Sequence, residues 1–139
     1  MADLTITAAN VVGSSAARTV TGKAGAAITA GNVLYLDTSD NTYKLADASA
    51  VATAKVAGIA ANDAANGQPV VIITKDPALN VGATLAIGSV YCVSATAGAI
   101  APEGDIASSE FVTILGIANA ADSLNFDVGE HLQATAAHA

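Results

Sequence analysis

Residues 23–36 read KAGAAITAGNVLYL, and residues 80–93, fifty-seven positions further on, read NVGATLAIGSVYCV. Laid side by side, Gly25 meets Gly82, Ala26 meets Ala83, Ile28 meets Leu85, Gly31 meets Gly88, Val33 meets Val90 and Leu36 meets Val93. The text returns again downstream, where VAGIAAN at 56–62 matches ILGIANA at 114–120 with an offset one residue larger. Each copy runs through a Gly-Ala turn, an apolar strand, a polar Ala-rich connection, a strand ending in Gly-Ile-Ala, and a last apolar segment, PVVIITK in the first and LNFDV in the second. A period near fifty-seven exceeds the roughly 20–50 residues of stacked solenoid units. The duplication therefore predicts two related β-halves closing on one core.

The strand signals agree. NVLYLD, TYKLA, KVAGIA, QPVVIIT, SVYCVS, FVTILGIA and LNFDV are short runs rich in β-branched and aromatic residues, bounded by Gly, Pro, Asn, Asp or Ser. The turns DTSDN, NDAANGQP, TAGAI and PEGD between them predict an all-β chain, a small β-barrel or β-sandwich built from two related halves, with at most a short helix. That helix is expected in DASAVATAKV, about two turns at most, with Asp47 as its cap. Gly31 and Gly88 stand just before strands, where a turn needs positive φ or a close backbone approach. Gly58 and Gly116 fall inside strand patterns, the mark of a bulge or a tight crossing. The expected organisation is an N-terminal extended arm or first strand at 1–22, a single β domain at 23–130 with its copies at 25–79 and 82–130, and a C-terminal tail at 131–139.

Composition limits the function classes. The 139 residues are 53% apolar and 12% charged, against about 45–50% and about 25% in an average domain, so the chain packs rather than stays disordered. Trp is absent and aromatics reach only 4%, so the core is made of small side chains and is thin, which favours assembly with neighbours. A net charge of −7, with only five Lys and Arg scattered along the chain, argues against nucleic acid or an anionic membrane as the partner. The N-terminus lacks a basic segment followed by a continuous apolar run, and no stretch reaches the roughly 20 apolar residues of a membrane helix. A chain made in a cytosol is expected.

The chemistry-bearing motifs are missing. HExxH, CxxC, GxSxG and GxGxxG do not occur, and TGKAG is no phosphate loop because Ala24 follows Lys23. Cys92, the one cysteine, lies in an apolar run and reads as a small buried hydrophobe. His131 and His138 sit in the Ala-rich tail and read as solvated. Asp37 and Asp40 could offer oxygens to a cation, but Asp, Ser and Asn are also the residues that close turns, and the turn is preferred. Glu103 and Asp105, in a Pro-Gly turn, would face water, where nothing raises a carboxyl pKa for acid-base work. No catalytic, cofactor or metal residue is assigned and no enzyme is expected. A carbohydrate- or small-ligand-binding module would want exposed aromatics, for which Tyr43 and Phe111 are the candidates, since Tyr35, Tyr91 and Phe126 fall in strand patterns.

The order GAAITAGNVLYLD, YKLADA, AKVAGIAANDAANGQPVVI resembles the head decoration, or capsid cement, proteins of tailed bacteriophages, in which an AG-x-V strand, a tract of ADA type, a VAGIA strand and a GQ-x-V-x-V strand follow one another. The similarity covers residues 23–73, with 80–120 as a weaker second copy. The resemblance implies a non-enzymatic virion protein, a homotrimer on the capsid exterior, whose partner is the major capsid protein of the phage head. A tail or fibre component acting as a host-surface adhesin is the alternative. Within that frame, Leu4 and Ile6 alternate with Thr5 and Thr7 as in an extended segment that adds to a sheet edge, so both are expected at the capsid or subunit interface, against an ordinary first strand of the domain.

Overall fold

The computed structural model describes residues 3–102, 111–127 and 133–137. After a single 3-10 turn at Ala8–Asn10, the chain forms β1 (Val11–Val12), β2 (Arg18–Lys23), β3 (Val33–Asp37), β4 (Thr42–Leu45), α1 (Val51–Ala54), β5 (Val56–Ala60) and β6 (Pro69–Val81). Then follow β7 (Val90–Val93), β8 (Ile100–Pro102), β9 (Phe111–Ala118), β10 (Ser123–Asp127) and β11 (Gln133–Ala137). All pair in one eleven-stranded antiparallel sheet, curled into a half-barrel, whose main path runs β4-β3-β5-β6-β10-β9-β7-β8. Read from its two ends the path is the same, β4-β3-β5-β6 against β8-β7-β9-β10. The chain is all-β and built from two related halves.

The likeness extends to single residue pairs. Val33, Leu34 and Tyr35 of β3 oppose Ile59, Gly58 and Val56 of β5, with a register shift after Leu34. Val90, Tyr91 and Cys92 of β7 oppose Ile117, Gly116 and Ile114 of β9, with the shift at the matching place. Likewise Leu34 and Leu36 face Leu45 and Tyr43, as Tyr91 and Val93 face Pro102 and Ile100. The one extra residue of the second copy thus falls between β8 and β9.

The repeated glycines are where this geometry demands them. Gly31 and Gly88 have φ of +93° and +85°, and their amides donate to Ala60 O and Ala118 O at 2.9 and 2.8 Å. Gly58 and Gly116 lie beside the register shifts, where an added Cβ would stand 2.4 Å from Ile73 O and 2.0 Å from Asn125 O. The first pair turns the chain; the second lets neighbouring strands close in.

β6 joins the halves. Lys75 faces Arg18 on one edge and Asp127 on the other, Asn80 faces Val12 and Ser123, and Ile73 faces Thr19 and Ile59. A strand residue has one neighbour per edge, so β1 and β2 follow one edge of β6 while β5 and β10 share the other. Counted at the offset of fifty-seven, β2 corresponds to residues 75–80, the C-terminal part of β6. One strand is therefore the last of the first half and the first of the second. The main core cluster draws Val33, Val56, Ile59 and Ile73 from the first half and Tyr91, Val93, Ile100, Leu115, Leu124 and Phe126 from the second. A smaller cluster, with Leu34, Val70 and Ile72 among its members, fills the first half alone.

Several elements differ from the sequence expectation. Ile100 and Pro102, assigned to turns, form β8 with Ala101. The helix, one turn of four residues, stays within the length expected, but its N-cap is Ala50, with no side-chain cap. Asp47 instead accepts from Ser49 N at 2.9 Å, from Ser49 Oγ and from Thr53 Oγ1, closing the turn before the helix. β1, β2 and β11 were not legible as strands, and β6 runs on past Pro77, which sits where the β6–β10 register shifts and no ladder donor is needed. Glu103, Asp105, His131 and His138 lie outside the described residues.

Candidate functional site

The interface candidates Leu4 and Ile6 lie in an N-terminal segment tied to the second half. Leu4 N donates to Ile100 O at 2.8 Å, Thr7 N donates to Gly82 O at 2.7 Å, and Asp3 accepts from Ser94 Oγ. Leu4 and Ile6 are half-buried and pack against the main core. The first half explains this placement. There, Gly25 N donates to Tyr43 O at 2.8 Å and Ala24 bridges Tyr43, tying the end of β2 to β4. The counterparts of Gly25 and Tyr43 are Gly82 and Ile100, and in the second half the N-terminal segment stands between them. Leu4 and Ile6 thus complete the second half from within the same chain.

The Asp37–Lys44 hairpin behaves as a turn. Asp37 accepts from Ser39 N at 3.0 Å and Ser39 Oγ at 2.7 Å, and Asp40 from Thr42 N at 3.2 Å and Thr42 Oγ1 at 2.7 Å. Lys44 Nζ lies 2.6 Å from Asp37 and 3.3 Å from Asp40. The Lys44 ammonium and the Ser39 donors hold the Asp37 carboxyl well below the usual carboxylate range, and Thr42, then Lys44, lower that of Asp40. Both carboxylates are already satisfied by the protein, and a lysine occupies the place a cation would take. The second half repeats the turn without charge, Thr96 N donating to Ser94 Oγ at 3.0 Å as Ser39 N does to Asp37. The left-handed residue is Asn41 in one hairpin and Gly98 in the other, with φ of 61° and 79°. Among the described residues no group of three His, Cys, Asp or Glu is placed to hold a metal.

Asp76 escaped the sequence reading. It is fully buried in β6 opposite the loop between β1 and β2. It accepts from Ser14 N at 2.7 Å, from Ser14 Oγ, and from Ala78 N at 3.0 Å. Burial pushes its pKa up, but the Ser14 and Ala78 donors outweigh burial and hold it below the ordinary value. Its position pins the N-terminal segment to β6.

Of the aromatics, Tyr91 and Phe126 are buried, Tyr35 packs on the main core, and Tyr43 packs on the smaller cluster, where its ring would meet a Cβ at Gly22. Cys92 is buried. A groove of about 450 Å³ beside the N-terminal segment is lined mostly by polar groups, including Thr5, Thr7, Asn80 and Asp122. A second hollow, of about 310 Å³, opens on the outer side of the second half over Val90, Ile114, Ile117 and Asp127. No protein-family model matches the chain, and no curated protein matches it.

Proposed function

We propose that this protein is a non-enzymatic structural component of a virion, a decoration protein that binds the outside of a bacteriophage head and stabilises the shell through its major capsid protein. The observation that carries the reading is the ordered run GAAITAGNVLYLD, YKLADA, AKVAGIAANDAANGQPVVI in residues 25–72, which resembles that family. Supporting it, those segments follow one half of the sheet, at the start of β3, just after β4, along β5 and at the start of β6. Many copies, each with a modest contact, would clamp the shell by multivalency. The acidic surface keeps the protein off DNA and anionic lipid. Leu4 and Ile6, half-buried against the main core, stay the proposed residues of the capsid or subunit interface.

Co-sedimentation with expanded, undecorated heads, and separately with tails of the same virus, tests the proposal. Saturable binding of many copies per head is the expected result. Binding to tails alone would replace it by the tail or fibre reading, and binding to neither would remove both.

A further inference from the structure

The second half carries polar groups that its backbone does not require. Leu85 N donates to Ala121 O at 2.7 Å, as Ile28 N donates to Ala64 O at 2.8 Å in the first half. The residues beside these bonds therefore correspond. Exposed Thr84 stands where the first half has Ala27, and exposed Asp122 where it has Ala65. The same turn forms with alanine at both places. Thr84 and Asp122 line the polar groove of about 450 Å³ beside the N-terminal segment, together with Thr5, Thr7, Asn10 and Asn80.

Backbone contacts hold the groove in shape. Thr7 N donates to Gly82 O at 2.7 Å, Asn10 N to Thr7 O at 2.9 Å, and Gly82 N to Asn80 Oδ1 at 2.9 Å. Gly82 has φ of +77°, and a Cβ there would stand 2.5 Å from Thr7 O, so the two segments meet backbone to backbone. With those bonds made, the side chains of Thr5, Thr7, Asn10, Thr84 and Asp122 form no hydrogen bond or ion pair with another described residue. They are free for a ligand.

Charge and hydrogen-bonding capacity select its chemistry. The lining holds one carboxylate and no Lys, Arg or His, so it disfavours an anion. Threonine hydroxyls and asparagine amides both donate and accept, and a carboxylate accepts from more than one donor. Their complement is a ligand with neighbouring hydroxyl groups, and Val12 and Ala83 add a small apolar patch for the C–H face of its ring. A Ca²⁺ ion takes about 6–8 oxygens, with carboxylates prominent among them, and this groove offers a single carboxylate.

We propose that the groove is a binding site for a neutral saccharide, with Asp122, Thr84 and Asn10 holding adjacent hydroxyl groups. No aromatic ring lines it, so hydrogen bonds carry the binding and the affinity of one site is modest. The groove is built within one chain, so the site does not rest on the decoration reading.

Titration of the isotope-labelled full chain with the methyl glycosides of glucose, mannose and galactose, followed through its amide resonances, tests the proposal. At least one glycoside is expected to bind saturably and to shift the amides of Asn10, Thr84 and Asp122, while glucuronate and galacturonate bind more weakly than the neutral sugars. Asp122→Ala should raise the dissociation constant by about tenfold or more and Thr84→Ala by about threefold or more, with circular dichroism confirming the fold. Asp122→Asn serves the same purpose should Asp122→Ala not fold, since an amide accepts fewer hydroxyl donors. Absence of binding by all three glycosides, shifts confined to another surface, unchanged affinity in the variants or equal binding of the anionic sugars would each overturn the proposal. Calcium chloride alone shifting the groove amides would make this a cation site and overturn it as well.

Discussion

At the scale of single residues, four glycines and one carboxylate carry most of what is specific. Gly58→Ala and Gly116→Ala each place a methyl against a carbonyl of the next strand and should cost about 1–3 kcal/mol by overpacking. Gly88→Ala meets nothing within 4 Å and pays only for its φ of +85°, about 1–2 kcal/mol. Gly31→Ala should cost more than Gly88→Ala, because its Cβ would also stand 2.7 Å from Ile6 Cγ2. Urea titrations of the four variants check this order. For Asp76, the folded pKa lies below the value in the unfolded chain. Its contribution is therefore complete above about pH 4 and drains away as pH falls through the folded value. Asp76→Asn should destabilise at pH 7 by about 1–3 kcal/mol, since an amide cannot accept all three hydrogen bonds. It should also flatten the loss of stability on acidification, which urea midpoints across the acid range would reveal.

At the scale of elements, the N-terminal segment is the informative case. Leu4→Ala and Ile6→Ala are expected to destabilise by about 1–2 kcal/mol each, less than the about 2–5 kcal/mol of a fully buried site. Thr5→Ala, at an exposed position between them, should stay within about 0.5 kcal/mol, and thermal melts of the three compare them directly. Their alternation was readable, but the destination of the side chains was not. It depends on Gly82 and Ile100 having no other closing partner, a matter of where distant strands end. The seven apolar strand runs, the glycines inside them and the duplication were legible because each shows in local text. β2, RTVTGK, was invisible because neither of its faces is consistently buried, so no alternation marks it. β8 is three residues ending in Pro102, too short for any pattern. Asp76 gave no signal, since the Ser14 that satisfies it lies sixty-two positions away. The hollow over Val90, Ile114 and Ile117 gave no signal either, since those residues come together only across the β7–β9 pairing.

At the scale of the whole molecule, one core cluster spans both halves, so unfolding should be a single cooperative transition, with tyrosine fluorescence and circular dichroism giving coincident curves. Fragments 1–74 and 75–139 should each be unfolded alone and regain β structure when mixed, which circular dichroism of the mixture would detect. The reason is the shared strand, whose consequence is genetic as much as mechanical. Modules are shuffled between genes by cuts that fall in linkers, but here the boundary of the ancestral unit falls inside β6, near Lys75. No cut there gives either product a full set of strands. A half could be removed or added only by rebuilding β6 itself, not by a cut in a linker.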